Sequence, residues 1–239
     1  GAPVASNAGS ARAEQLYQRV LNEYGDDSVA QLGGVHLAVE DASNLLTKVL
    51  ERGRLAAYLE QSTRYIPYTD RRGDAWRYLV PAELDDPALR ARFISVMNAA
   101  FETYARWIDP MRVWFEARYP KAPGDSDAVY RSAIRAKALD TLRGLLPAAT
   151  QSNVGIYGTG QAFESLLLRM RAHRLVEVRA TADLMLAELR KVIPAFLTRV
   201  DQAERGGRWS AYLADTRDRL EAIGERLTAG AAPAPRPEV

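Results

Sequence analysis

The chain has 239 residues, 47% hydrophobic and 26% charged, the balance of a soluble globular protein with one sizeable core or at most two small ones. Its 32 Lys+Arg nearly cancel its 30 Asp+Glu, and a formal charge of +2 excludes the global field that would hold nucleic acid or an anionic membrane, so any basic function must be local. With no cysteine and only His36 and His173, far apart, the chain is excluded from disulfide frameworks, cysteine nucleophiles and thiolate or histidine metal clusters; no metal is expected. There is no apolar run of about 18 residues and no signal-type start, so the expected setting is the cytoplasm, with no membrane partner.

In chain order, residues 1–10 are small and aperiodic and read as a flexible N-terminal segment, 11–228 as the folded domain, and 229–239 as an Ala/Pro-rich tail or linker. Leu16, Val20 and Tyr24 mark a first helix, and Val35, Val39, Ala42, Leu46, Val49 and Leu50 carry the same spacing through a second. Thr63 to Tyr68 reads as a short strand. Asp86-Pro87, an acidic cap followed by proline, opens a third helix that should bury Phe93, Met97, Phe101 and Tyr104 and be kinked or ended by Pro110. A helix carrying Tyr130, Ile134, Leu142 and Leu145 should stop near Pro147; a strand is expected over Asn153 to Tyr157, then helices over 161–204, broken at Pro194, and over 209–228. Trp107, Trp114 and Tyr130 are expected in the core. The fold class is α+β, strongly helix-dominated, with helices around a small twisted antiparallel sheet.

One stretch concentrates polar groups. Arg52 and Arg54 flank Gly53 at a helix end, and Glu60, Gln61, Ser62 and Arg64 follow within ten residues. If the chain folds back between them, several guanidinium forks converge with a carboxylate, an amide and a hydroxyl, a set suited to a nucleotide. Without a ligand, the same residues could complement a helix dipole, form a Glu60/Arg64 pair one turn apart, and make a Ser28/Gln31 capping box.

The segment Gly25 to Tyr65 resembles the signature region of flavin-dependent thymidylate synthases, with Gly25, Ser28, Ser43, Arg52, Arg54, Glu60, Ser62, Arg64 and Tyr65 in register without a gap. Further on, Leu146-Pro147 resembles the family's Leu-Pro ahead of a strand, and Leu166 to Arg171 resembles a helix ending in a nucleotide-binding arginine. The resemblance implies FAD contacts at Ser28, Gln31, Arg52 and Arg54. It implies dUMP contacts at Glu60, Gln61, Ser62, Arg64 and Arg171, with catalytic roles for Ser62 and Arg171. It also implies methylation of dUMP or a related uracil nucleotide, with hydride from reduced flavin, carbon from methylenetetrahydrofolate and NADPH to regenerate the flavin. The family forms tetramers with shared sites, so a homo-oligomer is expected.

The family's signature histidines are replaced by Asp26, Leu32 and Gly53, its following Glu by Gln31, and its Asn-Ala-Arg element by Gly160-Gln161-Ala162. No strand candidate precedes the first helix. An alternative is therefore a diverged, non-catalytic relative that binds a nucleotide or forms oligomers, as one half of a two-copy protein. A third reading is an unrelated helical bundle with a coincidental arginine cluster.

Overall fold

A computed structural model describes residues 27–231, together with 12, 15, 16, 19 and 20. Most of the first expected helix, Gly25, Asp26, the expected N-terminal segment and residues 232–239 of the expected tail lie outside the described residues. A 3-10 turn, Asp27–Gln31, leads into strand β1, Gly34–Ser43, helix α1, Asn44–Glu51, and strand β2, Ala56–Glu60. A small hairpin pairs β3, Arg71–Arg72, with β4, Ala75–Trp76. Helices α2, Pro87–Arg118, and α3, Asp127–Leu142, follow. Strand β5, Gln151–Thr159, runs into helix α4, Gly160–Arg171. Helix α5, Val176–Leu189, a 3-10 turn, Pro194–Leu197, and helix α6, Arg208–Thr228, complete the described chain. The sheet is antiparallel in the order β1-β5-β2, so the fold is α+β and dominated by helices, as expected.

Two expectations about the strands fail for definable reasons. Residues 34–43 form a strand, not the start of a helix. Val35, Leu37 and Val39 share one face at period two and pack toward the core. The register then slips by one residue at a bulge between Val39 and Ala42, where Asp41 takes φ 58°, and Ala42 returns to the buried face. That extra residue makes the spacing 35, 39, 42, 46 look helical. Residues 63–68 are a turn instead of a strand, because the Ser62 carbonyl accepts the amides of Tyr65 (3.3 Å) and Ile66 (3.2 Å). The nearby strand is β2, whose Ala-Ala-Tyr-Leu-Glu lacks β-branched residues.

Helix α2 begins as expected, with Asp86 accepting from the Leu89 amide at 2.8 Å ahead of Pro87. It runs on through Pro110, which is exposed, so the carbonyl left without a donor faces water. Phe101 and Tyr104 are fully buried, whereas Phe93 and Met97 are half-buried. Trp107 and Trp114, expected inside, are on the surface. The core beneath α2 is already filled one turn earlier by Phe101 and Tyr104 against Tyr68, Trp76, Leu139 and Leu142. Tyr130 is half-buried, its hydroxyl donating to the Tyr119 carbonyl at 2.8 Å.

The larger core packs the inner face of the sheet against α1, α4 and α5 through Leu46, Leu50, Ile156, Phe163, Leu167 and Leu186. Ser43, buried at the end of β1, joins these layers. Its oxygen caps α1 by accepting from the Leu46 amide (3.1 Å), while its amide and hydroxyl donate to the two oxygens of Glu177 on α5 (2.8 and 2.6 Å). A Glu177→Ala variant strips a buried donor pair of its charged acceptor and is expected to lose about 1.5 kcal/mol of stability. A urea titration measures this as a lower midpoint at unchanged slope; an unmoved midpoint would mean that Ser43 does not depend on Glu177.

Candidate functional site

The polar stretch that the sequence singles out divides between two clefts. The first, about 610 Å³, lies between α1, the end of β2 and the 3-10 turn Arg143–Leu145 after α3. Lys48, Glu60, Gln61, Ser62 and Arg143 line it. Lys48 bridges Glu60 (3.0 Å) and Glu51 (3.2 Å). Burial disfavours its ammonium, but the hydrogen bonds to Glu60 and Glu51 prevail and raise its pKa above the ordinary value.

Gln61 is the most firmly held of these side chains. Its Oε1 accepts from Asn153 Nδ2 at 2.8 Å, its amide donates to the Asn153 carbonyl at 2.9 Å, and its own carbonyl accepts from the Ser152 hydroxyl at 3.3 Å. Asn153 Oδ1 in turn accepts the amide of Asp41 (3.0 Å), and the Asp41 carbonyl accepts from Gln151 Nε2 (3.1 Å). The bulge that misleads the periodicity thus orients a cleft side chain. Gln61 keeps its Nε2 free to donate to a ligand.

Ser62 Oγ accepts the Arg64 amide at 3.3 Å, which leaves the hydroxyl hydrogen to donate. Arg64 does not line the cleft. Its Nε lies 3.2 Å from Asp140 Oδ1, and the same oxygen lies 3.0 Å from Nε of Arg143 in the cleft wall. Arg64 therefore bears on the cleft through Asp140.

The second cleft is narrow, about 50 Å³, and lies at the other end of β2, lined by Gly53, Arg54, Tyr58, Ser165 and Arg169. Arg169 donates to Ser165 Oγ at 2.7 Å. Burial, reinforced by the charge of Arg52, lowers the Arg169 pKa against the favourable influence of Tyr58. Burial pushes the Tyr58 phenol up, partly offset by Arg169. Among the described residues, Arg52 and Arg54 have no carboxylate within ion-pair distance. A Cβ at Gly53 would meet the Tyr58 hydroxyl at 2.9 Å and an Arg169 Nη at 3.2 Å. The space beside Gly53 is therefore already occupied.

The expected convergence of Arg52, Arg54 and Arg64 with Ser62 in one cavity does not occur within the chain. The intervening residues form β2, and five extended residues carry the two ends about 16 Å apart. Glu60 and Arg64 do not pair with each other, since Glu60 turns to Lys48 and Arg64 to Asp140. Gln31 ends a 3-10 turn and donates to Gln161 Oε1 at 2.9 Å; Ser28 shares that turn, its side chain outside the description. Arg171 pairs with Asp183 of α5 and lines neither cleft. Sequence reasoning missed Lys48, Arg143, Tyr58 and Arg169. A signal was present for two of them: Lys48 is one turn before Arg52 on α1, and Arg169 is on the helix already singled out for Arg171.

A profile of the thymidylate synthase complementing protein family matches residues 3–195. The UPF0159 protein of Chlamydia muridarum is 42% identical over 194 residues, 81% of this chain and 37% of that protein. The UPF0159 protein of Chlamydia pneumoniae is 39% identical over 220 residues, 91% of this chain and 41% of that protein. The flavin-dependent thymidylate synthase of Mycobacterium marinum is 32% identical over 193 residues, 80% of this chain and 68% of that protein. The chain spans about two-fifths of the length of the UPF0159 relatives. With the family profile covering most of its length, the chain belongs to the thymidylate synthase complementing protein family.

Proposed function

We propose that this chain is a nucleotide-binding unit of the thymidylate synthase-like class, taking dUMP or a related uracil nucleotide in the Lys48–Arg143 cleft without holding a flavin by itself. One contrast carries the reading. The larger cleft gathers two cations, a carboxylate, a fixed amide and a hydroxyl from a single chain, whereas the space beside Gly53 is filled by Tyr58 and Arg169. Lys48 and Arg143 suit the phosphate, and Glu60, Gln61 and Ser62 suit the sugar and the polar edge of the base. Ser62 acts as a donor, since the only carboxylate lining its cleft among the described residues, Glu60, is neutralised by Lys48. Arg171 serves the packing of α4 on α5. Leu32 and Gly53 stand where the resembled family has histidine rings, and the Tyr58 hydroxyl and an Arg169 Nη lie in the space beside Gly53, which supports a unit that holds no flavin by itself.

A second copy would complete the unit. One face of the sheet is left apolar and open, with Leu59 78% and Tyr157 46% exposed beside Ala38 and His36, and the His36 and Tyr157 rings 4.7 Å apart. The UPF0159 relatives are more than twice as long as the stretch they share with this chain, which leaves room in those proteins for a second unit.

The enzyme reading has its own observation. Arg52 and Arg54 stand exposed beside Arg169 with no carboxylate partner among the described residues, a set able to hold the diphosphate of FAD. In that reading bound FAD supplies the hydride, with Ser28, Gln31, Arg52 and Arg54 as its contacts and NADPH and methylenetetrahydrofolate as co-substrates.

The two readings separate on the purified chain incubated with FAD, desalted and scanned, then titrated with dUMP. The expected result is heat on dUMP addition and no retained flavin band. A stable flavin spectrum, with rescue of a thymidine-requiring strain, would replace the first reading with the second.

A further inference from the structure

A third concave surface is used by neither reading. It is a groove of about 580 Å³ between α2, α3 and the loop ahead of the small hairpin. Arg112 enters it from α2, Arg131 and Arg135 from α3, with the hydroxyls of Thr69 and Ser132 at its wall and Ile108 on its apolar side. Among the described residues no carboxylate lines it. Arg131 and Arg135 stand one helical turn apart, a like-charge spacing that destabilises a helix unless an anion joins the pair. Among the described residues neither has an ion-pair partner. Arg112 has only Asp109, 3.0 Å away on the solvent-facing rim of its own helix and 83% exposed, where water screens it.

Three guanidinium groups on a chain whose net charge is only +2 mark a concentrated local field. The wall facing them is fixed in advance. Tyr68, between Pro67 and Thr69, is buried in the smaller core, and its amide donates to the Tyr104 hydroxyl at 3.4 Å. Guanidinium forks match phosphate oxygens in planar, paired geometry, and flanking hydroxyls add donors. The groove's volume lies within the range of about 300–1,000 Å³ typical of small-ligand pockets.

We propose that this groove is a binding site for a phosphorylated small molecule, separate from the Lys48–Arg143 cleft. Its phosphate lies among Arg112, Arg131 and Arg135, and the rest of the ligand rests on the Ile108 side. Nucleic acid shares the phosphate chemistry, but three arginines gathered locally on a nearly neutral chain favour the small ligand.

The test is calorimetric titration of the full chain with inorganic pyrophosphate. Arg131→Gln/Arg135→Gln is expected to weaken binding at least tenfold, and Ser132→Asp, which brings a negative charge into the groove, is expected to do the same. Lys48→Gln/Arg143→Gln, in the proposed nucleotide cleft, and Arg54→Gln/Arg169→Gln, in the narrow cleft, should each leave in place the binding that depends on Arg131 and Arg135. Equal affinity in Arg131→Gln/Arg135→Gln and wild type, or loss only in Arg54→Gln/Arg169→Gln, would overturn the proposal. So would a short DNA duplex that binds more tightly than pyrophosphate and is lost with the same arginines.

Discussion

Gly160→Ala is expected to lower the thermal midpoint by roughly 5–10 °C, corresponding to a loss of about 2–3 kcal/mol in a chain of this size. At most first-turn positions of a helix this substitution is neutral or stabilising by about 0.4–1 kcal/mol, because alanine restricts the unfolded chain. Here a Cβ would lie 2.7 Å from Phe196 Cβ, 2.8 Å from Phe196 Cγ and 3.2 Å from the Ala30 carbonyl. A rotamer change cannot move a Cβ, so the 3-10 turn carrying Phe196 must shift, and with it a ring that is only 7% exposed. Gly144, with nothing within 4 Å of the same construction, provides the control, and Gly144→Ala should leave the midpoint near wild type. A scanning calorimetry trace in which Gly160→Ala melts at or above wild type would refute the close approach.

The same contact explains one departure from the family pattern. The Asn of the resembled Asn-Ala-Arg element is larger than alanine at position 160, and Phe196 excludes it. Gly53 differs, since the atoms beside it are the mobile ends of Tyr58 and Arg169, which a rotamer change can withdraw. The loss at position 160 is therefore coupled to Phe196, 36 residues along the chain and outside the local motif.

Helix ends marked by local chemistry were legible: Asp86-Pro87 opens α2, and the Pro147 region closes the segment after α3. β5 was legible as well, as its central residues alternate between the two faces. β1 was not, because one bulge residue converts a period of two into spacings that also satisfy a helix. Of the residues lining the larger cleft, Glu60, Gln61 and Ser62 were singled out from the sequence, since a run of three polar residues after an apolar stretch is conspicuous. Their separation from Arg52 and Arg54 was hidden because β2, built from alanine, tyrosine and leucine, carries no strand signal. Lys48 and Arg143 become neighbours of Ser62 only through tertiary packing, across separations of 14 and 81 residues in the chain.

That packing makes Lys48 and Arg143 the groups on which nucleotide affinity should turn. Replacing both by glutamine is expected to weaken dUMP binding about a hundredfold. Each removes a charge-assisted hydrogen bond worth about 1.5 kcal/mol at the low end, and the total of about 3 kcal/mol corresponds to roughly two decades in Kd. The substitutions also leave Glu60 without its Lys48 partner and facing the incoming phosphate, which acts in the same direction. Arg64→Ala should act more weakly, by about tenfold, because its guanidinium lies against Asp140 and reaches the ligand only by orienting Arg143. Titrating dUMP at two salt concentrations distinguishes the cases: the Lys48/Arg143 double variant should also lose most of the salt dependence, whereas Arg64→Ala should keep it. If Arg64→Ala proved the more damaging, the phosphate would lie at the α3 edge of the cleft, and the assignment of Lys48 and Arg143 as its direct partners would fail.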